Sequence, residues 1–127
     1  MVFREKQAIY LQIADYLCEN ILSKAWDAGG RIPSVRETAV SLEVNPNTVM
    51  RTFNYLQEKG IIYNKRGIGY FVSDDALEKT TELKKNEFLE NELPRIYRAM
   101  DLLNLSIEDI KDGFEDYIKR KPKKKDE

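Results

Sequence analysis

The chain has 127 residues, Lys+Arg 21 against Asp+Glu 22, a formal net charge of −1 and 42% hydrophobic residues. That length buries one sizeable core and excludes a multi-domain enzyme, while near-neutrality means that any charged surface must come from local placement. With no histidine and one cysteine the chain has no Ser-His-Asp triad and no thiolate metal cluster, and no stretch reaches the ~18 apolar residues of a membrane span.

Ile9, Ile13, Leu17 and Ile21 recur at i, i+4 and predict a first helix with one aliphatic face, ended by the Gly29-Gly30 region. Cys18 falls among the apolar positions of this helix, where it reads as a small buried hydrophobe. After Pro33, Ser34-Val35-Arg36-Glu37 has the form of a capping box, so a helix of about two turns follows with Val35, Ala39 and Leu42 inward. Asn45-Pro46 supplies an N-cap side chain and a proline at the first helical position for a third helix, with Val49, Phe53 and Leu56 as its buried face and Gly60 as its left-handed stop.

Beyond Gly60 the period changes. Ile61-Ile62-Tyr63 and Tyr70-Phe71-Val72-Ser73 flank Asn64-Lys65-Arg66-Gly67-Ile68-Gly69, which predicts a hairpin with a basic, glycine-bearing tip. The order helix, short helix, helix, hairpin describes a winged helix-turn-helix over residues 1–73.

Asp74-Asp75 marks the expected domain boundary, followed by a two-helix module over residues 74–120 and a basic tail over 121–127, expected to be disordered. Leu89, Leu93, Ile96, Met100 and Leu103 are spaced 4, 3, 4, 3 and form a helix-packing seam that Pro94 should kink or restart. Ser106 caps a last helix with Ile107, Ile110, Phe114 and Ile118 inward. Two helices of this size do not cover their own apolar faces, so Leu89, Leu93, Ile96, Met100, Leu103, Ile110 and Phe114 are candidate dimer contacts. The fold class is therefore mainly α with a small β-hairpin, a winged helix-turn-helix joined to a C-terminal dimerisation module.

The net charge hides a division: residues 1–73 carry 9 basic and 7 acidic side chains, or +2, and residues 74–127 carry 12 and 15, or −3. Within the winged segment Arg36, Arg51, Lys65 and Arg66 fall where a helix-turn-helix meets phosphate. Asn47, Thr48 and Arg51 occupy the start of the third helix off its apolar face, with Asn54 one turn beyond Met50. Ser34 and Asn45 at the two helix starts, and Gly67 and Gly69, which let the wing backbone approach DNA, complete the candidate set. Read alone, Asn47 and Thr48 would be first-turn residues satisfying free amides and the arginines solvated charges; their convergence on one predicted surface favours double-stranded DNA. No nucleophile-base pair or phosphate-binding glycine loop is visible, so an enzyme, a cofactor and a metal are not expected, and the chain is expected to be soluble and cytoplasmic. The rival reading is a winged protein-interaction module that does not read DNA.

Residues 9–72 strongly resemble the winged domain of GntR-family bacterial transcription regulators, through Ile-Tyr-Leu-Gln-Ile, Gly-Gly-Arg-Ile-Pro-Ser-Val-Arg-Glu, Val-Asn-Pro-Asn-Thr-Val, Leu-Gln-Glu-Lys-Gly-Ile-Ile and Gly-Ile-Gly-Tyr-Phe-Val in order. The resemblance implies that Arg36 and the Asn45–Arg51 segment contact DNA, with Lys65–Gly69 as the wing. It also has departures: Lys24 stands where the family often has glycine, Thr38 where leucine is usual, and Pro46 where many members carry a DNA-contacting arginine. Only 54 residues follow Ser73, which looks like the YtrA subfamily. That likeness implies a homodimeric repressor on a pseudo-palindromic operator, commonly of an ABC-transporter operon. An unknown small-molecule effector in a cleft between the two modules is kept as a hypothesis.

Overall fold

Helix α1 (Ile9–Leu22) buries Ile13, Leu17 and Ile21 together with Ala14 and Cys18, as the i, i+4 pattern requires, whereas Ile9 in its first turn stays 47% exposed. These elements come from a computed structural model that describes residues 7–122. The chain leaves α1 through Lys24, whose φ of 64° is a left-handed conformation that favours glycine. Helix α2 (Val35–Leu42) starts at a complete capping box: Ser34 Oγ accepts from the Glu37 amide at 3.0 Å and Glu37 Oε1 accepts from the Ser34 amide at 3.1 Å.

Helix α3 (Pro46–Glu58) is capped by Asn45, whose Oδ1 accepts from the Asn47 amide at 2.8 Å, and Pro46 fills the first position at no hydrogen-bond cost. Its inner face, Val49, Thr52, Phe53 and Leu56, is fully buried, and Gly60 (φ 74°) turns the chain out of the helix. Strands β1 (Ile62–Lys65) and β2 (Gly69–Val72) pair antiparallel with Ile62 opposite Val72 and Lys65 opposite Gly69. The hairpin is anchored by Phe53 of α3, which meets Tyr70 edge-on with ring centroids 4.8 Å apart.

The structure adds a short pairing along the free edge of β2. Arg31 bridges Phe71, the Ile32 amide donates to Tyr70 O at 3.0 Å, and the Val72 amide donates to Gly30 O at 2.9 Å. These bonds satisfy an edge that a two-stranded hairpin would leave open.

The first compact unit runs through Lys85, beyond the boundary expected at Asp74-Asp75. The reason is helix α4 (Ala76–Glu87), which carries Ala76, Thr80 and Leu83 at i, i+4 and i+7: Ala76 belongs to the core, Leu83 packs on it and Thr80 is fully buried. The Lys84 ammonium also pairs with the Asp15 carboxylate of α1, both side chains about a quarter exposed. An Ala and a Thr give almost no apolar signal, so the sequence pattern breaks one helix too early.

The second unit begins at Asn86 and contains a π-helical turn (Phe88–Glu92), α5 (Leu93–Leu102) and α6 (Ile107–Arg120). Pro94 restarts the helix, as its position suggests: the Leu93 amide reaches back five residues to Phe88 O, and the widened turn accommodates a residue with no amide hydrogen. Asn104 (φ 61°) ends α5, and Ser106 with Asp109 forms the second capping box. The inward face expected of α6 is open in the chain: Ile107, Ile110, Phe114 and Ile118 are all exposed, Phe114 by 64%. Of the α5 seam, Leu89, Ile96 and Leu103 are exposed, Leu93 is half-buried and Met100 is buried. Of the basic tail, only Lys121 and Pro122 lie within the described residues.

Candidate nucleic-acid interface

The two helix starts of the winged unit are built by their caps. At α2 the Ser34 oxygen and the Glu37 carboxylate are engaged with each other's amides, and Arg36 projects exposed from the first turn. The amide of Ser34 first and then its hydroxyl hold the Glu37 carboxyl below its ordinary 4.5, against an opposing effect of desolvation, and the positive charge of Arg31 contributes least. At α3 the Asn45 oxygen is spent on the Asn47 amide, so its Nδ2 is the free end.

On α3 the polar positions separate cleanly from the core. Asn47, Arg51 and Asn54, at spacings of 4 and 3, are exposed, while Val49, Phe53 and Leu56 are at 0%. Thr48 is half-buried between these faces. Arg51 does not extend loosely: its Cζ lies 3.9 Å from the ring centroid of Tyr10 on α1.

The wing carries Lys65, Arg66 and Gly67 exposed at its tip, in a turn closed by the Ile68 amide to Lys65 O at 2.9 Å. Lys65 Nζ sits 4.6 Å from the Phe71 ring centroid, and Phe71 stacks on Tyr63 at 5.8 Å. Gly69 is required by its φ of 142°, and the Arg31 side chain lies close over it, with Nε 3.0 Å from where a Cβ would stand. Arg31, exposed beside the wing, is absent from the candidates the sequence suggests, and so is Tyr10. The run Gly-Gly-Arg-Ile-Pro gives no hint that Arg31 pairs with a strand forty residues on, and a tyrosine among helical apolar positions reads simply as core. Among the described residues no cluster of acidic or thiol ligands could hold a metal, and no helix is long and apolar enough to cross a membrane.

Residues 9–72 match the family of bacterial regulatory proteins described as gntR. The HTH-type transcriptional regulator YhcF of Bacillus subtilis is 35% identical over 115 residues, spanning 91% of this chain and 93% of that one. The chain belongs to the GntR family. The HTH-type transcriptional repressor YtrA of Bacillus subtilis is 40% identical over 78 residues, which cover 61% of this chain and 58% of YtrA. A crystal structure of a GntR-family transcriptional regulator from Bacteroides thetaiotaomicron superposes with a TM-score of 0.75 at 47% identity, covering 89% of this chain and 98% of that one. The match embraces the second unit as well as the winged one, so this GntR protein is a DNA-binding transcription regulator with a winged helix-turn-helix and a short helical C-terminal unit.

Proposed function

We propose that this GntR regulator is a homodimeric repressor that occludes a promoter by binding a pseudo-palindromic operator in the cytoplasm. The observation that carries the reading is the exposed stripe Asn47, Arg51 and Asn54 on the helix whose other face is fully buried. A helix presented this way enters the major groove by its N-terminal end, with Asn47, Thr48 and Arg51 at base edges. Arg36, Ser34, the amide nitrogen of Asn45, and the wing residues Lys65, Arg66, Gly67 and Gly69 fix register on phosphates and the adjacent minor groove. Two winged domains then sit on half-sites roughly 34 Å apart or a multiple. Pairing of the second units through Leu89, Leu93, Ile96, Leu103, Ile110 and Phe114 would cover apolar side chains that the single chain leaves largely exposed, whereas Met100, expected in the same seam, is already buried within the chain. Similarity to the repressor YtrA supports repression.

The test is selection of binding sites from random duplex DNA at near-physiological salt, with the assembly state read by light scattering. An inverted repeat bound by a dimer is expected. Arg51→Ala should then cost about 1–3 kcal/mol and relax preference at one base pair, whereas Lys65→Ala should weaken all sequences alike and reduce the salt slope by about 1. A monomer, or a folded dimer that enriches no sequence, would refute the proposal and favour a protein partner.

A further inference from the structure

Three residues of the DNA-facing helix converge on one residue of α1. Arg51 lays its guanidinium over the Tyr10 ring, with Cζ 3.9 Å from the centroid. Tyr55, one turn on, meets the same ring edge-on at 6.1 Å with an interplanar angle of 78°. Between them the Thr52 hydroxyl donates to the Tyr10 carbonyl at 2.7 Å. Tyr10 is thus held at its ring and at its backbone by the helix that carries Arg51, and it is half-buried where Arg51 is exposed.

Resting on the reading of Arg51 as a base contact, we propose that Tyr10 is a specificity-determining positioning residue: its ring orders the Arg51 guanidinium before DNA arrives and fixes which base pair that arginine reads. An aromatic ring takes up one face of a guanidinium and leaves the N–H groups in its plane free, and those are the groups that make a bidentate contact with guanine O6 and N7. An exposed arginine otherwise surrenders most of its rotamer freedom on binding. Held over the Tyr10 ring, it has surrendered part of that freedom already, and its reach is confined to the neighbourhood of one base step.

The full-length Tyr10→Phe, Tyr10→Leu, Arg51→Ala and Tyr10→Leu/Arg51→Ala variants are titrated by fluorescence anisotropy onto the selected duplex, onto single-base variants of it and onto an unrelated duplex. Tyr10→Phe keeps the ring face and should match the parent. Tyr10→Leu should bind the selected site roughly two- to fivefold more weakly. It should relax preference at the same base pair as Arg51→Ala, leave the unrelated duplex and the salt slope unchanged, and add nothing in the double variant. The Arg51 Nε–H resonance supplies a readout without DNA: the ring should shift it upfield in the parent and in Tyr10→Phe, and the shift should vanish in Tyr10→Leu.

A Tyr10→Leu variant that weakens all duplexes equally, or whose loss adds fully to that of Arg51→Ala, overturns the proposal and makes Tyr10 a purely structural residue. So does a parent protein without the ring shift. If the parent enriches no sequence, or Arg51→Ala leaves base preference intact, the reading of Arg51 itself fails and takes this inference with it. A normal Arg51→Ala effect beside an unaffected Tyr10→Leu overturns this inference alone.

Discussion

Two buried threonines, close in chemistry and opposite in circumstance, give a paired stability prediction. Thr52 and Thr80 are both at 0% exposure. The Thr52 hydroxyl bonds the Tyr10 carbonyl at 2.7 Å and so ties α3 to α1, whereas Thr80 Oγ1 has no hydrogen-bond partner among the described residues. Valine keeps the branched shape and removes only the hydroxyl. At position 52 this deletes one made hydrogen bond, a net loss of about 1 kcal/mol, and the Tyr10 carbonyl retains its place in the α1 ladder. At position 80 it deletes a desolvated polar group, whose burial without a partner costs about 1–3 kcal/mol, so Thr80→Val should stabilise the fold by about 1 kcal/mol after imperfect packing is allowed for. Threonine and valine differ little in helix propensity, which leaves the hydroxyl as the deciding term. The two variants should therefore differ by about 2 kcal/mol, or about 1 M in urea midpoint at a typical slope. Trp26, the only tryptophan and packed against the core of the winged unit, reports the transition by fluorescence at fixed protein concentration. A Thr80→Val midpoint below that of the parent, at unchanged slope, would refute the reasoning by showing that the hydroxyl is bonded in solution.

Lys24→Gly should raise the urea midpoint, because glycine relieves the left-handed φ of 64° at a net gain of about 0.5–1 kcal/mol; a lowered midpoint would mean that contacts of the lysine outweigh backbone strain. Glu37 has its folded pKa lowered, so the stability it contributes is present above its ordinary 4.5 and is lost as pH falls through the lowered folded value. Glu37→Gln should flatten that part of the pH–stability profile, and a profile of unchanged steepness would argue against the capping carboxylate as its source. Phe114→Asp should convert the proposed dimer to a folded monomer, since the side chain is 64% exposed in the single chain and its loss leaves no cavity there; light scattering that still shows a dimer would remove Phe114 from the interface.

What the sequence made legible was local. The caps at Ser34, Asn45 and Ser106 depend on residues two or three positions apart, and each occurs as the spacing implies. The buried trio Val49, Phe53 and Leu56 is a periodic signal within one helix, and it alone suffices to put Asn47, Arg51 and Asn54 on the opposite side. The break within Leu89, Leu93, Ile96, Met100 and Leu103 was legible too, because Pro94 announces it; its form, a π-helical turn over Phe88–Glu92 that alters the rotation per residue within the seam, was not. The extent of the first unit was hidden because Ala76 and Thr80, which bury α4, are not strong hydrophobes.

The candidate interface divides along the same line. Exposure of a basic side chain follows from its position on a helix or hairpin, so Arg36, Arg51, Lys65 and Arg66 could be named without coordinates. What holds a charge in place comes from another element. Arg51 rests on Tyr10 of α1, Lys65 of β1 rests on Phe71 of β2, and Arg31 passes over the space that Gly69 leaves empty. Each of these supports is apolar or absent as a side chain and carries no charge signal of its own. A pattern read along the chain therefore finds which cations face solvent, while their order, and with it the entropy still to be lost on meeting DNA, is decided by helix crossing and strand register.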